Sequence, residues 1–262
     1  MSTPPIRVER HDHTMVITID RPEARNALDR GSAEIIGSAL EQADGDASVW
    51  AVILTGTGER AFCAGADLKA IARGESLYQE GREHWSFGAW ANHYISKPTI
   101  AAVNGVAFGG GLELVLAADL AVATESAKFG LPETSRGIIA AAGGAFRVID
   151  QLPRKVGMHM LMTGLPIDAA TAMHHGLINE VVPDGQALEA ALALAETVCR
   201  NSPTAVAASK RIAYGATENT WAGESERWSL TNSENQRVRQ SHDGREGPKA
   251  FAEKRNPVWQ NS

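Results

Sequence analysis

One acidic residue, Glu113, lies two positions after three consecutive glycines in the stretch AFGGGLELVLAADL at residues 107–120. Leucine and valine flank it, so its carboxylate is not expected to face open solvent. Twenty residues later, KFGLPETSRG places Glu133 directly after Pro132. Two carboxylates beside one apolar cleft tend to differ in proton affinity, so that one acts as base and the other as acid. The sequence thus offers a candidate acid–base pair.

The segment between the two glutamates predicts how they would meet. A helix over roughly Leu112 to Ala118 and a strand over Leu120 to Thr124 would return the chain to the side from which it started. A plainer interpretation is equally compatible with these residues alone. In that interpretation Glu113 caps its own helix, and Glu133 lies in a solvated loop.

Two segments of small residues share a second kind of chemistry. FCAGADLK, at residues 62–69, and FGGGLEL, at residues 108–114, each follow a buried strand and lead into a helix. Main-chain N–H groups at a helix start have no partner within the helix, and small residues let a ligand approach them. Two such sites facing each other would form an oxyanion hole. For either segment alone, close backbone packing without a ligand explains the glycines as well.

The elements around these segments indicate an α/β fold. TMVITID, at residues 14–20, alternates as a strand does, and SAEIIGSALEQA predicts a helix capped by Ser32. VWAVILTG, at residues 49–56, is almost wholly apolar, which is typical of a strand covered on both faces. PTIAAVNG and DLAVAT continue the alternation of strands and helices.

After about residue 185 the pattern becomes helical. One face of a helix is marked by apolar residues that end at Cys199, and further helices are predicted over Pro203 to Tyr214 and over about Gly223 to Ser241. A short last helix is expected in EGPKAFAEKR. We therefore divide the chain into a core, 1–200, and a helical carboxyl-terminal region, 201–262, which is expected to pack on a neighbouring subunit.

Composition excludes several classes of function. The 262 residues carry a net charge of −6, which argues against a nucleic-acid-binding surface. The only cysteines, Cys63 and Cys199, form no paired motif, so reduced thiols and a cytoplasmic location are expected. The sequence predicts neither a signal peptide nor a membrane-spanning helix.

Other catalytic motifs are disfavoured by what surrounds them. The eight histidines, among them His174 and His175, join no convincing set of metal ligands, so no metal is expected. GTGER, at residues 56–60, lacks the Gly-Lys-Ser/Thr of a phosphate loop, and no Gly-x-Ser-x-Gly occurs. Cys63 lies beside the predicted oxyanion hole, but a small packed side chain explains it better than a nucleophile does.

Taken together, these segments resemble one protein family. CAGADLK, AAVNGVAFGGGLELVLAADLAVATESAKFGLPE and LMTGLPIDAATAMHHGLINEVVP look like the enoyl-CoA hydratase/isomerase (crotonase) superfamily. The similarity runs from VITIDRPEARNAL to EGPKAFAEKRNPVW and is greatest to the enoyl-CoA hydratase and carnitinyl-CoA dehydratase branches. It implies a spiral of ββα turns with a helical carboxyl-terminal trimerisation region, assembled as trimers or paired trimers. It also implies an acyl-CoA thioester substrate and no cofactor beyond that CoA.

The resemblance also implies roles for individual residues. Ala66 and Gly110 would donate the two N–H groups of the oxyanion hole, and Glu113 and Glu133 fall on the two catalytic glutamates. The remaining correspondences concern the CoA moiety. They are Arg25 on the loop along the nucleotide; Ala64, Asp67, Leu68 and Lys69 along the CoA; and Phe251 and Lys254, which would reach the CoA of a neighbouring subunit.

The predicted reaction is syn addition of water across the 2,3 double bond of an enoyl-CoA, with Glu133 delivering the α-proton. One departure from the hydratase pattern is GIIAAAGG, where Ala140 and Ala141 replace the usual Pro-Gly, which leaves the acyl chain length open. Isomerisation of the double bond, dehydration of a carnitinyl-CoA type and a non-catalytic acyl-CoA-binding protein remain alternatives. Retention of both glutamates favours hydration or dehydration.

Overall fold

A computed structural model describes residues 4–216 and 221–262 of the chain. Its strands are β1 (Ile6–His11), β2 (Thr14–Ile19), β3 (Ala51–Gly56), β4 (Ala61–Cys63), β5 (Thr99–Val103), β6 (Val106–Phe108), β7 (Leu120–Thr124), β8 (Lys128–Gly130), β9 (Ile167–Asp168) and β10 (Glu180–Val182). Its α-helices are α1 (Arg30–Gly45), α2 (Leu68–Ala72), α3 (Gly110–Ala117), α4 (Gly144–Gln151), α5 (Arg154–Thr163), α6 (Ala169–His174), α7 (Ala187–Cys199), α8 (Pro203–Tyr214), α9 (Ser225–Gln240) and α10 (His242–Ala252). Short 3₁₀ helices cover Pro22–Ala24, Glu83–Trp85, Phe87–Ala89, Pro132–Arg136 and Ala222–Glu224.

The strands form two sheets. The larger has the order β1-β2-β3-β5-β7-β10, antiparallel only between β1 and β2, and the smaller has the order β4-β6-β8-β9. Successive chain segments β3-β4, β5-β6 and β7-β8 each give one strand to each sheet, and a helix follows each pair. This repeat is the ββα spiral, and the predicted α/β class is confirmed.

Strand β3 is buried on both faces, as its apolar sequence predicted. Val52 and Leu54 belong to the main core, whereas Ala51 and Ile53 belong to a second core on the opposite face. Helix α7 covers that second core with small side chains, namely Ala187, Ala191 and Ala195. Burial on both faces fixes the larger sheet in the core, and the candidate site lies where strands β4, β6 and β8 of the smaller sheet end.

Three local predictions need correction, and two short strands were not predicted. The cap of α1 is Asp29 and not Ser32, because the Asp29 carboxylate accepts the Ser32 N–H at 2.8 Å. The strand predicted from Val49 begins at Ala51, and the helix predicted from Leu112 begins at Gly110. Strands β4 and β6 lie between the larger sheet and each glycine segment, and their three-residue length gave no periodic signal.

The carboxyl-terminal region is helical, and no strand occurs in its described residues. Helix α10 packs against the Pro132–Arg136 helix so closely that a Cβ at Gly247 would overlap the Arg136 carbonyl. The Trp228 ring of α9 meets Phe146 edge to face at 5.4 Å. This region therefore covers the part of its own chain that carries Glu133, while its predicted role in trimers and the division at residue 200 stay predictions. None of the described helices is long and apolar enough to cross a membrane.

Candidate active site

The two glycine segments lie side by side because β4 and β6 are paired in parallel. Ala61 pairs with Val106, and Cys63 pairs with Ala107. Beyond the strands the backbones touch: a Cβ at Gly111 would overlap the Cys63 carbonyl, and one at Gly65 would lie 3.4 Å from the Gly110 nitrogen. Only glycine permits this approach. The structure thus brings together the two segments singled out from the sequence.

Two main-chain amides at this junction have no partner in the described chain. Gly110 is the first residue of α3, so its N–H donates no intrahelical hydrogen bond. Ala66 forms an isolated parallel bridge with Leu28, in which Leu28 bonds the Gly65 carbonyl and the Asp67 N–H, each at 2.9 Å. That pattern turns the N–H of Ala66 away from Leu28. Both amides are available to a ligand oxygen.

Glu113 lies inside α3 and is only 4% exposed. Its Oε1 atom accepts the N–H of Ala142 at 2.7 Å and the N–H of Gly144 at 2.9 Å. Burial raises the pKa of this carboxyl, and the two N–H donors and the nearby Arg147 partly oppose the shift. The carboxylate is therefore fixed in position and kept from solvent.

Glu133 belongs to the Pro132–Arg136 helix and is 8% exposed. Its Oε2 atom is buried and has no hydrogen-bond partner among the described residues. Its Oε1 atom faces Gly109, where a Cβ would lie 3.1 Å away. Burial and the Glu113 charge both raise the Glu133 pKa, with smaller opposing effects from a hydrogen bond to its own main-chain N–H and from the Arg136 charge. The two carboxyl groups are therefore close enough to interact, beside the start of α3.

The loop with Arg25 joins the same region through its backbone. Arg25 is exposed, with a left-handed φ of 53°, and its carbonyl accepts the Ala64 N–H at 3.1 Å. Asp67 caps α2 by accepting the Lys69 N–H at 2.9 Å, and it forms an ion pair with Arg21 at 2.7 Å. Leu68 and Lys69 are exposed on α2.

Phe251 and Lys254 lie farther along, at the end of α10. The Phe251 ring is 47% exposed, and the Arg136 guanidinium lies 4.3 Å from its centre. Lys254 follows α10 with a φ of +55° and is exposed. Phe251 thus lies beside the Pro132–Arg136 helix, and in this chain neither side chain is buried.

Sequence reasoning missed three groups around the carboxylates. The main-chain N–H groups of Ala142 and Gly144 hold Glu113, and Arg21 holds Asp67. The run AAAGG ahead of a helix was the available signal for the first two, because small residues before a helix expose its N–H groups. Arg21 gave no signal, since its partners are 8 and 46 positions away.

Two alternative chemistries have little support in the described residues. Cys63 is fully buried, and burial raises its thiol pKa to about 12, so it would not ionise as a nucleophile does. Across residues 4–216 and 221–262, no group of three or more metal-binding side chains is assembled.

Comparison with known proteins agrees with the geometry. Residues 9–262 match the family model described as enoyl-CoA hydratase/isomerase. Enoyl-CoA hydratase EchA19 of Mycobacterium tuberculosis is 40% identical, with 99% of this chain and 98% of that protein covered. Carnitinyl-CoA dehydratase of Salmonella typhimurium is also 40% identical, with 97% of each covered.

Solved structures give the same result. A carnitinyl-CoA hydratase from Mycobacterium avium superimposes with a TM-score of 0.98 at 54% identity over the whole of both chains. An enoyl-CoA hydratase from Mycobacterium tuberculosis gives a TM-score of 0.77 at 41% identity, covering 99% of this chain and 100% of the other. The resemblance drawn from the sequence is confirmed: this chain belongs to the enoyl-CoA hydratase/isomerase family.

Proposed function

We propose that this protein is an enoyl-CoA hydratase, which adds water reversibly and with syn geometry across the 2,3 double bond of an enoyl-CoA thioester. The observation that carries the proposal is the pairing of two unpartnered amides, on Ala66 and Gly110, with two buried carboxyl groups at the same junction. Family membership supports the substrate class.

The amides of Ala66 and Gly110 would hold the thioester oxygen. Attack of water at C3 moves the double-bond electrons toward that oxygen and creates an enolate-like negative charge. Two fixed N–H donors stabilise this charge more than they stabilise the neutral carbonyl, and loss of one such donor typically costs about 3 kcal/mol. Of the twenty residue types, only proline would remove either donor, because it has no main-chain N–H.

Glu113 and Glu133 would hold the water and share one proton. Two neighbouring buried carboxyl groups do not both ionise readily, so the pair keeps a proton over a wide range of pH. Glu133, whose Oε2 has no donor among the described residues, would carry that proton and deliver it to C2. The water gives its hydroxyl to C3 and its proton to the pair, which returns the pair to its starting state.

The CoA moiety would lie along the loop with Arg25 and the segment of Ala64, Asp67, Leu68 and Lys69. Phe251 and Lys254 would reach the CoA of a neighbouring subunit in a trimer or in a hexamer of paired trimers. No cofactor beyond the CoA of the substrate, no metal, no nucleic acid and no membrane enters this proposal. The reduced cysteines support a cytoplasmic location.

A second candidate function uses the same catalytic groups on a carnitinyl-CoA type of substrate. Relatives described as carnitinyl-CoA dehydratase and carnitinyl-CoA hydratase support water elimination from, or addition to, an acyl-CoA of that type. Isomerisation of the double bond, which needs one well-placed base, is a third candidate. A non-catalytic acyl-CoA-binding protein would not need both glutamates.

A direct test is hydration of crotonyl-CoA by the purified protein, with isomerisation of a 3-enoyl-CoA measured in parallel. We expect hydration to exceed isomerisation and to persist in the presence of a chelator. Glu133→Gln should lower hydration by about 10²–10⁴-fold while CoA-ester binding, measured by calorimetry, survives. Hydration by this variant within a few-fold of the parent would refute the role given to Glu133, and dominant isomerisation would replace the proposed reaction.

A further inference from the structure

One face of α9 lines a cavity with polar side chains. Trp228, Asn232, Asn235 and Arg239 follow one another at intervals of four, three and four residues, which places them on one side of the helix. They line a cavity of about 480 Å³ together with Tyr78 and Ala141. A pocket built only for a straight alkyl chain would be lined by apolar groups, and this one is not.

The cavity adjoins the candidate active site. Ala141 directly precedes Ala142, whose N–H holds Glu113. Tyr78 lies within electrostatic reach of both ends: burial raises its pKa, the Glu113 charge raises it further, and the Arg239 charge lowers it. A chain that passes Glu113 and enters the cavity would therefore meet Tyr78 and the α9 face.

Arg239 lines this cavity and is exposed. Among the described residues it forms no ion pair and donates no side-chain hydrogen bond, whereas its neighbour Arg237 pairs with Glu234 at 3.6 Å. Glu83 also lines the cavity as a carboxylate, but it forms no ion pair with Arg239 and accepts the Gly81 N–H at 3.0 Å. A free guanidinium beside two amide side chains is suited to bind a carboxylate.

We propose that the acyl group accepted here ends in a carboxylate, which binds Arg239 with help from Asn232 and Asn235. This inference rests on the proposed function, because it assumes that the acyl chain passes Glu113. It predicts that an acyl group ending in a quaternary ammonium, as a carnitinyl group does, is disfavoured by repulsion from Arg239. The cavity therefore separates substrate types that family membership alone does not separate.

The test compares 2-enoyl-CoA substrates of matched length that end in a methyl group, a carboxylate or a trimethylammonium group, with crotonyl-CoA as the reference. At the best length we expect kcat/KM for the carboxylate to exceed that for the methyl ending by roughly tenfold, and the trimethylammonium ending to be poorest. Arg239→Gln should abolish the preference for the carboxylate. Arg237→Gln is the matched control, because Arg237 lies two residues away on a different face of α9. This variant should leave the preference for the carboxylate intact.

Three outcomes would overturn the inference: equal rates for methyl and carboxylate endings at every length, preference for the trimethylammonium ending, or a carboxylate preference that survives Arg239→Gln. Failure to hydrate crotonyl-CoA and all the others would instead refute the proposed function. In that case the cavity is still tested by calorimetric binding of saturated acyl-CoAs with the same endings. Tighter binding of the carboxylate by the parent and not by Arg239→Gln would support the subsite, and equal binding would overturn it.

Discussion

Glu113 and Glu133 are both buried, yet their surroundings differ. The Glu113 carboxylate accepts two main-chain N–H groups, and Arg147 lies close enough to act on its charge. The Glu133 carboxyl has one oxygen with no partner among the described residues. The Glu113 carboxylate is therefore held by hydrogen bonds within the chain. The Glu133 carboxyl has an oxygen left to bind a group from outside the chain.

This difference suits Glu113 to be a negative charge held in one position and Glu133 to be a proton donor. N–H donors favour the ionised form of a carboxyl, whereas burial without donors favours the protonated form. Of the two, Glu133 should therefore take up a proton first as pH falls. Proton delivery needs that property, and orienting a water molecule needs the fixed geometry of Glu113.

The largest expected effect is on catalysis by Glu113→Gln. The amide oxygen of glutamine can still accept both N–H groups, so the fold should persist while the charge is lost. We expect kcat to fall by about 10²–10⁴-fold with the melting temperature little changed. Crotonyl-CoA hydration and thermal unfolding measure the two effects.

Glu113→Asp is the matched variant, because it keeps the charge but is too short to retain both N–H bonds. It should lose stability as well as activity. If Glu113→Gln proved as active as the parent, Glu113 would be a structural anchor only, and the distinction between the two carboxyl groups would disappear.

A substitution of Arg147 tests how much this residue contributes to stability and to the Glu113 pKa. Arg147 is buried in α4 and donates a hydrogen bond to the Ala91 carbonyl. It also forms a bidentate ion pair with Glu224, with N–O distances of 2.6 and 2.9 Å. Arg147→Met leaves the Glu224 carboxylate without its cation, and we expect a loss of about 3 kcal/mol in the free energy of unfolding. Loss of this cation should also raise the Glu113 pKa, which moves the acidic limb of the pH–rate profile upward.

The control for Arg147 is a surface ion pair that also involves α4, between Asp150 of α4 and Arg227 of α9. Arg227 binds Asp150 with side chains that are 38% and 47% exposed, and such pairs contribute about 0–1 kcal/mol. Arg227→Met should thus change urea unfolding little and leave the pH–rate profile in place. Similar losses from both variants would mean that the Arg147 pair has no special weight.

The sequence predicted the site better than it predicted the connections that support it. Burial of Glu113 and the meeting of the two glycine segments followed from apolar neighbours and from small residues before helices, which are local signals. The N–H groups that hold Glu113 come from 29 and 31 residues away, and no periodicity records a contact of that kind. The short strands β4 and β6 escaped notice because three residues are too few to show alternation.

Alanine substitutions at two glycines test how closely the chain packs around the two carboxyl groups. Gly109 has a φ of +57° and faces Glu133, while a Cβ at Gly144 would lie 2.8 Å from the Oε1 atom of Glu113. Gly109→Ala should cost about 1–3 kcal/mol of stability through backbone strain. Gly144→Ala should mainly displace Glu113 and lower kcat by roughly tenfold, since misplacing a catalytic group slows the reaction.

Gly45→Ala is the control for both glycine variants, because a Cβ there meets nothing within 4 Å. Its unfolding curve and its rate should match those of the parent. If Gly144→Ala kept full activity, the turn that holds Glu113 would be adaptable, contrary to the rigid surroundings described above.

The expected effect that is confined to high pH is a gain in stability from Glu133→Gln. The Glu133 pKa is raised in the folded state above its ordinary value of 4.5, so the unfolded chain releases this proton at lower pH than the folded one does. The carboxyl therefore imposes no penalty below about pH 4.5, and an increasing one as pH rises toward its folded pKa. Glutamine has no proton to lose and escapes the penalty.

Each unit of pKa difference corresponds to about 1.4 kcal/mol, so urea unfolding at pH 9 should show the variant more stable by at least that amount, with little difference at pH 4. The same measurement on Glu113→Gln should show a smaller gain, because two N–H donors already stabilise that carboxylate. Equal gains for the two variants would show that the donors around Glu113 do not distinguish it from Glu133.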